Sequence, residues 1–336
     1  MTGKVKDSGA PDEIYLLKEI TERRTKQGKP YLAVVLGTPD GDVEGRIWDM
    51  ELKSLPAMVP GDPVLASGKA GVYQDRKQLV IDRIEKVSRE VDPRQLYPSS
   101  EISEGQLRKD YAGLVSTLRE PALIQLFNVL DQDAPFMDAF FTSPAAVSMH
   151  HARIGGLAEH SLAVCRLAVA LGTLYPWLRT DLLVAGGLLH DVGKTKEYEV
   201  SGDFRYSREG KLIGHITLGV GMVSGWIDHV AGFPEDLALQ ILHIVLSHHG
   251  QLEHGSPRTP ATPEALVIHY ADDLDAKLDM LRSASADPDA AEAFVRGLRR
   301  TFLFAPEGPG EEDSEAVRTE DRGPDTSGSS DQGELF

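Results

Sequence analysis

The chain has 336 residues, 41% hydrophobic and 26% charged, with a formal net charge of −17. That length accommodates two domains with cores of their own, and the ordinary apolar and charged fractions exclude a fibrous or wholly disordered protein. No apolar run approaches the length of a bilayer span, the first residues hold no signal-peptide core, and the single cysteine, Cys165, excludes an internal disulfide; no membrane segment and a cytoplasmic location are expected.

The charge is unevenly spread. Glu307–Phe336 carries ten acidic and two basic residues, whereas Ile14–Ser88 carries eleven acidic and twelve basic ones. The N-terminal part is therefore slightly basic within an acidic protein, so the net charge does not exclude nucleic acid as a partner. A metal-dependent enzyme can also meet phosphates through its ions.

In chain order, residues 1–12 are polar and expected to be flexible. An initial strand is predicted near Tyr15–Arg23, and Tyr31–Leu36 is a second β-prone run. Pro39-Asp40-Gly41-Asp42 marks a turn into Val43–Trp48. Gly61-Asp62 opens Pro63–Tyr73, and Asp75-Arg76 turns into Gln78–Val87. Five strands in so short a segment suit a small all-β OB-type barrel over residues 13–90. Arg23, Arg24, Lys26, Lys29, Arg46, Lys69, Arg76 and Lys77 interleave with Tyr31, Trp48 and Tyr73. Such a surface can neutralise phosphates and stack bases; the alternative is that the aromatics are core and the charges only solvate the barrel.

Residues 91–149 read as a linker followed by lead-in helices, one from Ser103-Glu104 through Leu118 and one from Pro121 through Leu130. From His150 to Phe304 the pattern is helical. Leu157–Gly172 carries His160 and Cys165, the latter read as a buried structural thiol. Asp181 is placed to cap a helix running to His190-Asp191. Tyr198–Tyr206 is an excursion, His215 opens a further helix, Leu237–His249 is stopped by Gly250, and Pro263-Glu264 starts the last long helix. Residues 306–336, rich in Gly, Pro, Ser and acids, are expected to be disordered.

All eleven histidines lie between His150 and His269. His160, His190, Asp191, His215, His248, His249 and Asp272 fall on or beside different helices. Imidazoles and carboxylates suit Mn, Fe, Co, Ni or Zn, and seven ligands exceed the need of one tetrahedral ion. Two ions sharing a bridging carboxylate would use most of them and suit phosphoester cleavage. Lys194, one turn beyond Asp191 if the helix continues, is a candidate phosphate contact.

The order His160, His190-Asp191, Asp272 resembles the HD superfamily of metal-dependent phosphohydrolases. With His215 and His248-His249 it resembles the dinuclear members. More narrowly, HHARIGGLAEHS, GLLHDVGK, GHITLG, LSHHGQLEHGSPRTPATPEAL and YADDLDAKL resemble the YhaM family of 3′-to-5′ exoribonucleases over roughly residues 14–300. The resemblance implies an OB-fold followed by an all-α HD-domain helical bundle (150–305). It further implies removal of nucleotides from the 3′ end of single-stranded RNA, and of ssDNA as a second substrate, supported by Mn²⁺ or Co²⁺. It assigns His160, His190, Asp191, His215, His248, His249 and Asp272 as metal ligands, with Asp191 as the bridge. Lys194 becomes the phosphate contact or acid partner, and His150, His151 and His254 become candidates for the pocket or substrate. Asp275, one turn beyond Asp272, is placed to orient a ligand. His229, His243 and His269 are expected to be core or surface residues. The Gly-Tyr-Pro motif of cyclic-dinucleotide hydrolases is absent, as are paired acids after the His-Asp pair.

Two other functions remain open at this point. One is an HD phosphohydrolase of small nucleotides, and the other an OB-fold binding protein with a regulatory HD domain. Separately, Gln332, Leu335 and Phe336 resemble the Gln-x-x-Leu-Phe peptide that docks in bacterial sliding clamps, with Gly333 where Leu is favoured; an incidental sequence is the alternative. Homo-oligomerisation is left open, since helical domains of this kind associate.

Overall fold

The computed structural model describes residues 13–48, 57–73, 76–148, 150–201, 203–285 and 291–304. Five strands, β1 (Glu13–Arg24), β2 (Pro30–Thr38), β3 (Gly41–Ile47), β4 (Pro63–Tyr73) and β5 (Arg76–Lys86), close into a barrel in the order β1-β2-β3-β5-β4. Pairing is antiparallel except between β3 and β5, the closure expected of a five-stranded OB-fold. Alternation drives it: Leu32, Val34 and Leu36 of β2 and Leu79 and Ile81 of β5 turn inward, while Tyr31, Ala33, Val35 and Val80 are less buried. Bulges at Leu17/Glu19 and at Ser67/Gly68 bend the long strands round the barrel. Gly68 is required there, because a Cβ would sit 2.1 Å from the Val80 carbonyl oxygen.

A short joint follows. Leu96 and Tyr97 of the linker pack with Leu16 of β1, Ile154 and Phe204 in a small core between barrel and helices. The helices α1 (Glu104–Val115), α2 (Pro121–Gln132), α3 (Ala134–Thr142), α4 (Gly156–Leu174) and α5 (Thr180–Leu189) come next. The short α6 (Lys194–Glu197) leads into a hairpin of β6 (Tyr198–Ser201) and β7 (Asp203–Tyr206). Then come α7 (Arg208–Ile213), α8 (His215–Asp228), α9 (Glu235–Ser247) and α10 (Pro263–Ala284). The lead-in helices belong to the main core, since Leu107, Tyr111, Phe127 and Phe141 share one apolar cluster with α4, α5, α8 and α9.

Several local expectations change. The Tyr198–Tyr206 excursion is a β-hairpin. Asp181 does not cap its own helix: Arg179 is the N-cap residue, and the Asp181 carboxylate accepts from the backbone N–H groups of Arg119 and Glu120, at the start of α2. The helical pattern stops short of Phe304. The chain divides into two compact units at Leu281/Arg282, and the second contains an antiparallel hairpin, β8 (Glu292–Val295) with β9 (Arg300–Leu303).

Among the described residues one helix, α4, is both long and apolar enough to cross a membrane, with 19 residues and a mean hydropathy of 1.3. Its apolarity reflects a core position, because half of that stretch is buried among the other helices, together with His160 and Cys165. Residues Gln332, Leu335 and Phe336, and the tail expected to be disordered, lie outside the described residues.

Candidate metal centre

The site is built where helices end. From Leu182 to Leu189 every residue of α5 is buried, so this helix runs through the middle of the bundle. Helical hydrogen bonding closes with His190 N–H on the Gly186 carbonyl; the chain then turns, and Lys194 starts α6 instead of extending α5. His190 and Asp191 are thus delivered at the buried end of a central helix. Gly193 permits the turn, since a Cβ there would lie 1.9 Å from the His215 carbonyl oxygen. His215 opens α8, His248 and His249 follow the end of α9, His160 lies in α4, and Asp272 in α10.

All seven expected ligands come together. One oxygen of Asp191, Oδ1, lies 3.6 Å from His215 Nε2 and 3.4 Å from His248 Nε2. The other, Oδ2, lies 3.5 Å from His160 Nε2 and 3.4 Å from His190 Nε2. Asp272 Oδ1 is 3.1 Å from His160 Nε2, and His215 Nε2 is 3.3 Å from His249 Nε2. The donors fall into two groups, His160–His190–Asp191–Asp272 and His215–His248–His249, with Asp191 between them. Donors each about 2.0–2.2 Å from one ion would lie about 3.0–3.5 Å apart, close to the spacings here.

The outer nitrogens explain why the inner ones are available. Nδ1 of His190, His248 and His249 faces the carbonyl oxygens of Gly187, Val245 and His254 at 2.8–2.9 Å. Nδ1 of His160 faces Asp275 at 2.7 Å, and Nδ1 of His215 faces Glu197 at 3.1 Å. With a proton on each Nδ1, five Nε2 lone pairs point at the centre. Asp191 Oδ1 and His248 Nε2 are buried and have no hydrogen-bond partner. Such orphans are costly unless a cation completes them, so the donor set fits a divalent metal.

Charge agrees with geometry. Burial pushes the Asp191 carboxyl upward, but Lys194 and then His190 outweigh it and hold the group well below the usual carboxylate range. The Lys194 ammonium lies 2.6 Å from Asp191 Oδ2, and despite burial this carboxylate keeps it charged. Burial pushes His248 and His249 down, keeping them neutral, as ligands must be. Against burial, Asp191, Asp272 and Asp275 push the His160 imidazole well above its ordinary value.

Above the centre opens a pocket of about 580 Å³, lined by His150, Lys194, His254, Tyr206, Tyr270 and Asp272 among others. His151, expected at this pocket, is instead buried behind His160, with Nε2 2.9 Å from Asp275. Its backbone N–H donates to Asp279, which also pairs with Arg153 at 2.8 Å, and Arg153 pairs with Glu159. This layer was missed apart from Asp275; its trace in the sequence is the run Asp272, Asp275, Asp279, three acids on one face of α10. His269 lines the pocket, contrary to expectation, with Nδ1 on the His248 carbonyl. His243 accepts from Ala261 N–H, and His229 caps its own helix through Gly225.

The barrel carries a second concavity of about 450 Å³, lined by Arg24, Lys26, Tyr31, Arg46 and Trp48 among others. Tyr31 and Trp48 stack at 4.7 Å, and the Arg46 guanidinium lies 5.6 and 5.8 Å from their ring centres. Neither aromatic belongs to the barrel core. Arg23, Lys29 and Lys69 are exposed but do not line this concavity, and the side chains of Tyr73, Arg76 and Lys77 lie outside the described residues.

Barrel and centre together define the class: an OB-fold joined to a helical domain with a histidine–aspartate metal site of the phosphohydrolase type. The family model for the HD domain matches residues 157–277. Among curated proteins, the 3′-5′ exoribonuclease YhaM of Geobacillus sp. (strain WCH70) is 34% identical over 280 residues, covering 82% of this chain and 85% of its own. Its counterpart from Bacillus subtilis (strain 168) is 34% identical over 277 residues, 81% and 87% of the two chains. That of Halalkalibacterium halodurans is 32% identical over 277 residues, 82% and 86%. The chain belongs to the YhaM family. A solved structure, the second OB-fold domain of replication protein A from Methanococcus maripaludis, matches 27% of this chain and 100% of its own. The match has 17% identity and a TM-score of 0.21.

Proposed function

We propose that this protein is a metal-dependent 3′-5′ exoribonuclease that hydrolyses the terminal phosphodiester of single-stranded RNA, with single-stranded DNA as a secondary substrate. The observation that carries the reading is Asp191, whose two oxygens face two separate groups of imidazoles. His160, His190, Asp191 and Asp272 would hold one divalent ion, and Asp191, His215, His248 and His249 a second. Mn²⁺ is the first candidate, with Co²⁺, Fe²⁺, Ni²⁺ and Zn²⁺ as alternatives. When bound, such a pair activates water and stabilises the leaving oxygen of an in-line displacement.

The chain's own residues do the rest. Asp275 and Glu197 orient His160 and His215 through their Nδ1 atoms. Lys194, at the pocket floor beside Asp191, balances the buried carboxylate and offers its ammonium to the scissile phosphate. On the barrel, Tyr31 and Trp48 supply faces for bases, and Arg24, Lys26 and Arg46 supply charge for the strand behind the 3′ end. Single-strand tracking of this kind favours a polymer over the small-nucleotide alternative.

The test is a time course on 5′-labelled single-stranded RNA and matched DNA, with Mn²⁺ or with EDTA, for the wild type and Asp191→Ala. A Mn²⁺-dependent ladder shortening from the 3′ end and absent in the variant is expected. Intact polymers in every lane would sink the reading. Contact with a sliding clamp through Gln332, Leu335 and Phe336 is a separate proposal, removed by a pull-down that loses nothing when Leu335 and Phe336 are deleted.

A further inference from the structure

Two exposed tyrosines line the pocket and take no part in the histidine–aspartate centre. Tyr206 ends β7 and is 43% exposed; Tyr270 lies on α10, two residues before Asp272, and is 59% exposed. Neither has a loose footing. Tyr206 pairs with Tyr198 across the hairpin, ring edge to face at 5.2 Å. Two residues earlier, Phe204 is buried and stacks on Tyr97 at 5.5 Å, in the small core shared with Leu16 of the barrel. Tyr270 sits on the longest helix of the domain, beside the His269 ring at 5.0 Å. Rings this exposed, carried by a paired strand and a long helix beside the pocket, are suited to stacking on a base.

We propose that Tyr206 and Tyr270 form the subsite for the 3′-terminal nucleobase. The assignment rests on the exoribonuclease reading above and deepens it by naming the specificity residues. A π-face accepts any of the four bases, so this subsite selects for the presence of a terminal base and not for its identity. The pocket volume of about 580 Å³ is of the size that encloses one small organic ligand. The base rests on the tyrosines while the scissile phosphate lies against Lys194 and the ions that the histidine–aspartate centre would hold.

The experiment compares KM for single-stranded RNA ending in a normal nucleotide with KM for the same RNA ending in an abasic ribose, both with Mn²⁺. The enzymes are the wild type, Tyr206→Ala, Tyr206→Phe, Tyr270→Ala and Tyr270→Phe. Removal of the base is expected to raise the wild-type KM about 100-fold, the scale of two lost stacking contacts. Each alanine variant should bind the intact end about 10-fold more weakly and the abasic end no worse, so that the ratio falls to about 10. The phenylalanine variants should keep the wild-type ratio because the stacking face remains, whereas a merely structural role for the ring would make the alanine variants weaken on both ends alike. Alanine variants that keep the wild-type ratio, or a wild type indifferent to the base, would overturn the subsite alone. A wild type that hydrolyses bis(p-nitrophenyl) phosphate but neither RNA would overturn the exoribonuclease reading, and the subsite with it.

Discussion

At the scale of single residues, the centre depends on atoms that never touch a metal. Asp275 shows this best. Its Oδ2 accepts from His160 Nδ1 at 2.7 Å and also meets His151 Nε2 at 2.9 Å. Burial opposes its charge, but the two imidazoles hold the carboxyl well below its ordinary range, so Asp275 remains an acceptor and leaves His160 Nε2 free to ligate. Asp275→Asn keeps the size of the group and removes the charge. Mn²⁺ affinity, read by titration with electron paramagnetic resonance, should fall about 10-fold or more, as for other losses behind a metal ligand. An unchanged titration would show that His160 is oriented by packing alone. The contrasting case is Cys165. Burial pushes its thiol up to about 12, and its sulfur faces the Val184 carbonyl. A thiol-specific disulfide reagent should leave the native protein unlabelled and react fully in denaturant; rapid native labelling would contradict its burial.

At the scale of elements, two close approaches fix the site. At Gly187 a Cβ would lie 2.5 Å from Cys165 Cα, which sets the spacing of α4 and α5. At Gly193 the neighbour is the His215 carbonyl, so the turn carrying Asp191 and the start of α8 rest on each other. Gly193→Ala must push apart the elements that bear Asp191 and His215. It should destabilise the fold by about 1–3 kcal/mol, the usual cost of overpacking, and lower bound metal per chain. Thermal melts with metal analysis would read both effects, and a variant with wild-type melting and metal content would refute the contact.

Most elements were legible because their patterns are local. The strands of the barrel alternate, and α4, α5 and α8–α10 carry apolar residues at helical spacing. The residues that come together at the centre could also be picked out, because histidines confined to one segment leave a strong compositional trace. What escaped was short or long-range. Strands of four residues such as β6 and β7 have no measurable period. Asp181 looked like a cap for its own helix because the acceptor's true partners lie some 60 residues earlier. Glu197 carries no signal at all until the fold brings His215 to it.

At the scale of the whole molecule, the joint between the barrel and the catalytic domain shares a strand with the pocket. Phe204 packs in the joint with Leu16 and Tyr97, while Tyr206 on the same strand lines the pocket. Lys18 of β1 also reaches Asp203 of the hairpin at 3.7 Å. The barrel therefore buttresses the hairpin that lines the pocket. The barrel's own contribution is separable by salt. If Arg24, Lys26 and Arg46 each neutralise one phosphate, log K for single-stranded RNA should fall with log salt at a slope of about −2, from about −0.7 per contact. Arg46→Ala should reduce that slope by about 0.7 and also weaken stacking, because its guanidinium lies beside both Tyr31 and Trp48. Trp48→Ala removes a stacking face and no charge, so it should weaken binding at every salt concentration and leave the slope alone. Fluorescence anisotropy across a salt series, in EDTA to prevent cleavage, measures all three. Parallel lines for wild type and Arg46→Ala would place the RNA path off this groove. A flat wild-type line would mean that the strand is held by the catalytic pocket with no help from the barrel's cations.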